Sequence, residues 1–106
     1  MTTLPGYLGQ ILRVDLTQQR TWVEPLNQDY ARRFLGGSGL GARYLWDFVT
    51  AATDPLGPDN PLIFMTGPFV GTTTPAAGRF SVVTRSPATR LTGEGNSGGF
   101  FGPAMR

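Results

Sequence analysis

Apolar and polar residues alternate near the start of the chain, and this alternation predicts a β-hairpin. Leu12, Val14 and Leu16 occupy every second position, which is the period of a strand that buries one face. We predict strands over residues 7–16 and 21–26, because the second segment adds the strand-forming bulk of a tryptophan and a valine. The polar residues between these strands are typical of a turn.

Two short helices are predicted next, from apolar residues that recur at helical spacing. Asn27 can cap the first helix, and the glycine pair 36–37 can end it. Ser38 can cap the second helix, on which Arg43 and Asp47 stand four residues apart and form a surface pair. The apolar positions are Tyr30, Ala31, Phe34 and Leu35 in the first helix, and Leu40, Tyr44, Leu45 and Phe48 in the second.

The second half of the chain predicts an extended connector followed by two strands. Residues 53–61 contain three prolines among turn residues, which is typical of a connector. Residues 62–66 are an apolar run that predicts a buried strand, and residues 79–85 alternate so that Arg79 and Arg85 share a face. No closing strand or helix is predicted after them. The expected fold class is α+β, predominantly β-sheet and sandwich-like, with two short helices.

Composition excludes several kinds of chemistry. The 106 residues contain no Cys and no His, which excludes disulfides, thiolate nucleophiles, imidazole bases and the common zinc and iron–sulfur ligand sets. The nine basic residues are all Arg, against seven acids, so the net charge is only +2. Because the arginines are scattered and no nucleic-acid motif is present, we expect no nucleic-acid partner. The sequence also predicts no membrane span and no signal peptide, so we expect a cytoplasmic protein.

Two glycine-rich segments flank the predicted Arg-bearing strand and indicate an anion site. Residues 67–72 precede this strand and residues 95–102 follow it. Glycine leaves backbone N–H groups uncovered and arginine supplies a charged fork, so a phosphate-bearing ligand suits the combination. Each feature also has a plainer interpretation. Arg79 and Arg85 can be solvated strand edges, and residues 96–99 can be a surface turn.

Residues 37–42 fit a loose G-x-G-x-x-A pattern, the fingerprint of dinucleotide-binding loops. That fingerprint requires a preceding strand, whereas a helix is predicted here. We therefore interpret the segment as the end of one helix and the start of the next. A Walker-type phosphate loop is excluded because the chain contains no lysine.

The order of short motifs along the chain is more specific than any one of them. The motifs are Gly6-Tyr7, Leu12-Arg13-Val14-Asp15-Leu16-Thr17, Phe34-Leu35-Gly36-Gly37, Asp54-Pro55-Leu56-Gly57-Pro58, Thr66-Gly67-Pro68 with Gly71-Thr72, Gly78-Arg79-Phe80, Ser86-Pro87 and Asn96-Ser97-Gly98-Gly99. Taken in this order, they closely resemble the N-terminal domain of tungsten-containing aldehyde ferredoxin oxidoreductases. The resemblance covers essentially the whole chain.

The resemblance implies a domain that clasps tungsten or molybdenum bound by two pterin dithiolenes, with a magnesium ion. Such enzymes oxidise aldehydes to carboxylic acids and pass electrons through a 4Fe–4S cluster to ferredoxin. Arg79, Asn96, Ser97 and Gly98 match family positions that hold the pterin and its phosphates, and the backbone of Asn96 is expected near the magnesium. Arg85 stands where lysine is frequent, and we include it among the cofactor-binding residues. We expect no catalytic residue in this chain.

Members of that family are several times longer, and their cluster-ligating cysteines lie in later domains. We therefore expect residues 1–106 to be an incomplete N-terminal domain that is inactive alone. Its expected partner is the rest of the oxidoreductase polypeptide or a complementary subunit. The alternative is a stand-alone small subunit, or a phosphate- or pterin-binding module that acts in assembly, and a homo-oligomer also stays open. An incomplete domain is expected to leave an apolar sheet face uncovered.

Overall fold

The structure is a computed structural model that describes residues 4–105 as two small antiparallel sheets and three helices. Along the chain the elements are β1 (Gln10–Asp15), β2 (Arg20–Pro25), α1 (Gln28–Phe34), α2 (Gly37–Phe48), β3 (Ile63–Met65), β4 (Phe80–Arg85), β5 (Thr92–Ser97) and α3 (Phe101–Met105). β1 pairs with β2, and the second sheet has the order β3-β4-β5. The predicted α+β class is confirmed. Among the described residues, every helix is too short or too polar to cross a membrane.

The core lies where α2 packs on β3 and β4, with α1 packed on α2. Gly41 of α2 is buried, and a Cβ built on it would lie 2.7 Å from Val83 Cγ2. Val83 is 0% exposed, so the helix reaches this distance only because position 41 carries no side chain. The buried apolar residues of this region are Leu26, Ala31, Leu40, Leu45, Met65 and Val83.

The junction between α1 and α2 differs in part from the predicted caps. Asn27 caps α1 as predicted, because its side chain accepts a backbone N–H from the first turn. The C-cap of α1 is Leu35 at φ +64°, and the N-cap of α2 is Gly36, so Ser38 lies inside the helix and the predicted Ser38 cap is wrong. A Cβ at Gly36 would lie 2.5 Å from Gly67 Cα. The glycine therefore permits a close backbone contact, and Leu35 forms the centre of a γ-turn in which the N–H of Gly36 bonds the carbonyl of Phe34 at 2.8 Å.

Tyr7 holds this unusual end of α1 in place. Its hydroxyl donates a hydrogen bond to the carbonyl of Leu35, the residue at the centre of the γ-turn. Burial raises the pKa of the Tyr7 phenol above its ordinary value, so the hydroxyl stays protonated and remains a donor to higher pH. The segment before β1 thus fixes the point from which α2 begins. Because α1 and not a strand precedes α2, the prediction that residues 37–42 begin a helix is confirmed, whereas α1 already ends at Phe34, before this segment.

The predicted Arg-bearing strand forms as β4, and its Arg-bearing face is turned toward the core. Ser81 and Val83 are buried on this face and lie against α2. Arg79 immediately precedes the strand and Arg85 ends it. At about 3.3 Å per residue, the two arginines are about 20 Å apart along β4. They therefore stand at opposite ends of a buried face and cannot contact one small ligand group together.

Strand β5 and helix α3 contradict the prediction that no closing strand or helix follows β4. β5 contains Gly93, Gly95 and Asn96, which are residue types depleted in strands. It forms because β4 offers a pairing edge along its whole length. In α3, the ring of Phe101 lies 4.7 Å from that of Phe80, centroid to centroid. Pairing with the neighbouring strand β4 and this aromatic contact hold the last part of the chain.

The β1–β2 hairpin forms close to its predicted bounds and turns its charged face toward the rest of the molecule. Arg13 is 3.5 Å from the Glu24 carboxylate and lies over the ring of Phe48 at the end of α2, 4.3 Å from the ring centroid. This stacking keeps Phe48 partly covered, although the sequence predicted that it faces the core. Of the three aliphatic residues of β1, Leu12 and Val14 face outward and are exposed, whereas Ile11 packs against the core.

We expect Gly41→Ala to destabilise the fold, although alanine favours helices. Overpacking a core costs about 1–3 kcal/mol, and the gain in helix propensity is about 1 kcal/mol, so the contact with Val83 should dominate. Urea unfolding should therefore give a lower free energy of unfolding. In a Val83→Ala background the same change should be neutral or stabilising, because the clashing atoms are gone. If the Gly41→Ala chain were more stable than its parent, the close contact between Gly41 and Val83 would be contradicted.

Candidate cofactor-binding pocket

A pocket of about 410 Å³ opens between the N-terminus of α2, the segment after β3 and the start of β4. Its lining contains one charged side chain, Arg79, and no acidic residue. The lining residues are Gly37, Gly67, Pro68, Phe69, Val70, Thr74, Pro75, Ala76, Ala77, Arg79 and Ser81. The surface is therefore built mainly from backbone and small side chains, with a single positive charge at its edge.

Backbone contacts between α2 and the segment after β3 form the wall of this pocket. The N–H of Gly37 donates to the Thr66 carbonyl at 3.1 Å, and Gly36 lies against Gly67 with no room for a side chain. Gly37 has φ +57°, a conformation that glycine adopts without a steric penalty. These contacts fix the first turn of α2 at the pocket.

The N-terminus of α2 adds positive potential to the pocket. No side chain caps this helix, and within residues 4–105 the N–H groups of Ser38 and Gly39 have no hydrogen-bond acceptor. Uncapped N–H groups and the helix dipole both favour a nearby anion. The glycine-rich sequence of residues 36–41 is the signal for this arrangement, but the predicted Ser38 cap concealed it.

Arg79 is the side chain of the pocket that is available to a ligand. It is exposed, and its guanidinium has no hydrogen-bond or ion-pair partner in the part of the chain that the structure describes. Its stem runs beside Gly98, where a Cβ would lie 4.0 Å from Arg79 Cγ. An arginine fork without an internal partner, next to uncovered backbone, suits the oxygens of a phosphate.

Asn96 and Ser81 stand opposite each other on β5 and β4, on the same face of the sheet as the pocket. The Ser81 hydroxyl is buried and donates to Asn96 Oδ1 at 2.6 Å. Ser97 stands opposite Phe80, so its side chain lies on the other face of the sheet. Only its backbone is available to a ligand in the pocket. The structure thus groups Arg79, Asn96 and Gly98. Sequence reasoning missed Ser81, although it stands two residues after the arginine.

The neighbouring glycines Gly98 and Gly99 have different roles. Gly99 has φ +97°, in the left-handed region, and no atom of the described residues would contact a Cβ built on it. Gly98 does not have a positive φ, and within residues 4–105 only Arg79 Cγ would lie near a Cβ built on it. The backbone requirement for glycine therefore falls on Gly99, whereas Gly98 leaves the space beside Arg79 open.

Arg85 lies at the far end of β4, and carbonyl oxygens surround its guanidinium. Nε donates to the Arg90 carbonyl at 2.9 Å, and Nη1 donates to the carbonyls of Thr50 and Thr53 at 2.7 Å each. The Asn60 side chain bonds both the N–H and the carbonyl of Arg85. Arg85 therefore ties the connector after α2 to the sheet. This position favours a structural role over the predicted contact with a cofactor.

The fold and the pocket define a small α+β domain that offers one free arginine and an uncapped helix N-terminus to a ligand. Residues 11–106 match the family described as "Aldehyde ferredoxin oxidoreductase, N-terminal domain". A tungsten-containing aldehyde ferredoxin oxidoreductase of Pyrococcus abyssi is 43% identical over 101 residues, which are 95% of this chain and 17% of that protein. The chain therefore belongs to the aldehyde ferredoxin oxidoreductase family and corresponds to its N-terminal domain. It spans about a sixth of the length of such relatives.

Two further relatives have other activities in their names. The aliphatic sulfonate oxidoreductase, WOR-like subunit, of Pyrococcus furiosus is 39% identical over 69 residues, or 62% of this chain and 11% of that one. A solved structure, the active-site complex BamBC of benzoyl coenzyme A reductase with 1,5-dienoyl-CoA, contains the same fold. It matches with a TM-score of 0.90 and 35% identity over 94% of this chain and 15% of that chain.

We expect Arg85→Gln to lower the stability of the chain and Arg79→Gln to leave it nearly unchanged. Hydrogen bonds from a charged group contribute about 1.5–3 kcal/mol, and Arg85 makes several, whereas surface changes away from such contacts stay within about 0.5 kcal/mol. Urea unfolding of both variants tests the difference. Equal stabilities would show that the Arg85 contacts do not hold the connector.

Proposed function

We propose that this chain is the leading part of the domain that binds the tungsten or molybdenum bis-pterin cofactor of an oxidoreductase. The observation that carries the proposal is the free Arg79 guanidinium beside Gly98, at the edge of a pocket next to the uncapped N-terminus of α2. Arginine forks and uncovered N–H groups are the groups that recognise phosphate oxygens. A pterin cofactor that carries phosphate offers such oxygens.

The names of the relatives support a role in holding a shared cofactor. They refer to aldehydes, to aliphatic sulfonates and to benzoyl coenzyme A, which are chemically different compounds. Because the same domain occurs in all of these proteins, we infer that it supplies something they have in common and not the recognition of one substrate. The name of the Pyrococcus abyssi relative includes tungsten, which is consistent with a metal cofactor as the common part.

The described residues fit the pterin and phosphate parts of the cofactor. Within residues 4–105, no cluster of three or more His, Cys, Asp or Glu is available to a metal ion, and we propose that the side-chain contacts of this chain go to the organic part. Arg79 would bind phosphate oxygens, and the backbones of Asn96, Ser97 and Gly98 would line the same ligand. The backbone of Asn96 is also our candidate contact for magnesium. When bound, the cofactor supplies the redox chemistry, and the domain positions it.

The remaining parts of the proposal concern the whole enzyme. We propose that it oxidises an aldehyde to a carboxylic acid and passes electrons through a 4Fe–4S cluster, held by other domains, to ferredoxin. We propose these activities, and a cytoplasmic location, on the basis of the family resemblance. The residues of this chain would contribute by binding and orienting the cofactor, and residues 1–106 would be an incomplete form of the domain.

The first test uses a full-length chimera, in which this chain replaces the region that it matches in the Pyrococcus abyssi relative. Arg79→Gln should weaken cofactor retention roughly 10- to 100-fold, because a charge-assisted hydrogen bond contributes about 1.5–3 kcal/mol. Tungsten and pterin per chain, measured after dialysis, report the loss. Arg32→Gln, which removes an exposed charge from α1, is the matched control. Equal metal and pterin content in the two variants would refute the assignment of Arg79.

The second test separates the two glycines. Gly98→Val should fold normally without metal, because its side chain has room, yet it should lower tungsten per chain by filling the space beside Arg79. Gly99→Ala should instead cost about 1–2 kcal/mol of stability in the metal-free chain, because alanine disfavours a left-handed backbone. Thermal unfolding of the metal-free forms and metal analysis of the chimera distinguish these effects. Normal metal content in Gly98→Val would contradict a ligand at this place.

A further inference from the structure

The β1–β2 hairpin carries a second feature that the cofactor site does not explain, an outward row of aliphatic side chains. Leu12 is 66% exposed, Val14 55%, Leu16 84% and Val23 58%. We call these four residues the hairpin outer face. Leu12 and Val14 stand on alternate positions of β1, and Val23 is directly opposite Leu12 on β2, so they form one continuous patch.

The opposite face of the hairpin already has its packing partners. Arg13 lies between the ring of Phe48 and the carboxylate of Glu24, which joins that face to α2. The aliphatic face is thus the one left open, the reverse of the usual arrangement in which the polar face of a hairpin meets water. A two-stranded hairpin is only marginally stable without further strands or a covering layer. Within residues 4–105, β1 and β2 pair only with each other.

A second copy of the chain is a poor occupant for this face. Each partner of a standard protein–protein interface contributes roughly 800 Å², and four partly exposed aliphatic side chains offer much less than that. A covering layer that belongs to the same polypeptide can pack stably with a smaller buried area. The covalent link removes most of the entropy cost of bringing two separate molecules together. The chain spans 17% of the length of its relative, so a full-length relative contains a large amount of polypeptide that could supply such a layer.

We propose that the hairpin outer face is the surface on which the remainder of the oxidoreductase polypeptide packs, through an apolar layer that covers Leu12, Val14, Leu16 and Val23. The proposal rests on the assignment of the chain to a larger enzyme, and it is independent of the cofactor pocket. Docking through this face buries the aliphatic row and stabilises the hairpin. The free chain exposes the row, whereas the full-length protein does not.

The test compares the same substitutions in two contexts, the isolated chain and the metal-free full-length chimera. Leu12→Gln with Val14→Gln replaces the centre of the hairpin outer face. Leu56→Gln with Leu91→Gln is the matched control, because both leucines are well exposed and lie outside the hairpin. Thermal unfolding, binding of an apolar dye and the rate of proteolysis within the domain are measured for every form.

In the isolated chain, the Leu12/Val14 variant should bind less dye than its parent and unfold at the same temperature, because these side chains are exposed. In the chimera, the same variant should bind more dye and be cleaved roughly tenfold faster than the Leu56/Leu91 control, since a covering layer has been lost. If only this variant fails to fold in the chimera but folds normally as the isolated chain, we also conclude that the hairpin outer face is covered in the chimera. Because all forms are metal-free, failure of the cofactor proposal would not affect this result.

Three outcomes would overturn the proposal. The first is dye binding and proteolysis in the chimera that are no higher for the Leu12/Val14 variant than for its parent, which would mean that nothing covers the face there. The second is an equal loss of stability in the isolated chain and the chimera, which would assign the residues to the chain's own fold. The third is a dimer of the isolated chain, detected by sedimentation, that the Leu12/Val14 variant abolishes while the chimera is unaffected. A second copy would then be the occupant.

Discussion

The close packing of α2 on the sheet and on the segment after β3 sets the positions of the other elements. At both ends of this contact a glycine, which has no side chain of its own, lets the main chain approach its neighbour closely. Gly41 sits on Val83 within the core, and Gly36 sits on Gly67 at the pocket. Together they fix the axis and the starting point of α2. The core and the ligand pocket are therefore two consequences of one close helix–sheet approach.

This arrangement explains why the pocket is suited to an anion although the chain is only weakly basic. The close contact at Gly36 leaves α2 without a side-chain cap, so its first N–H groups remain available. Arg79 adds a formal charge from the start of β4, and no acidic residue lines the pocket to neutralise it. The local potential follows from the positions of these groups, because net charge says little about a single site.

The pocket and the hairpin outer face differ in chemistry and in the contacts that they can make. The pocket carries the charge of Arg79 and lies beside the uncapped N-terminus of α2, which suits recognition of phosphate oxygens by directed hydrogen bonds. The hairpin outer face is aliphatic, and apolar contacts have no preferred direction. It therefore suits packing against another layer of polypeptide. The first would hold a ligand in place, and the second would hold the domain in a larger protein. Both fit a domain that occupies about a sixth of the length of its relatives.

Local patterns were enough to predict the hairpin with its period of two, the Asn27 cap of α1 and the Arg43–Asp47 pair of α2, and the order of the motifs was enough to predict the family. Features that depend on packing between elements appear only in the folded chain. β5 forms from poor strand formers because β4 pairs with it, and Gly36 serves a contact with residue 67. Arg79 immediately before β4 and Arg85 at its end belong to the same alternating pattern, yet the first guanidinium is free and the second is bound by carbonyls of the connector after α2 and of Arg90. Periodicity fixes which way a side chain points, but the partners it meets come from elsewhere in the chain.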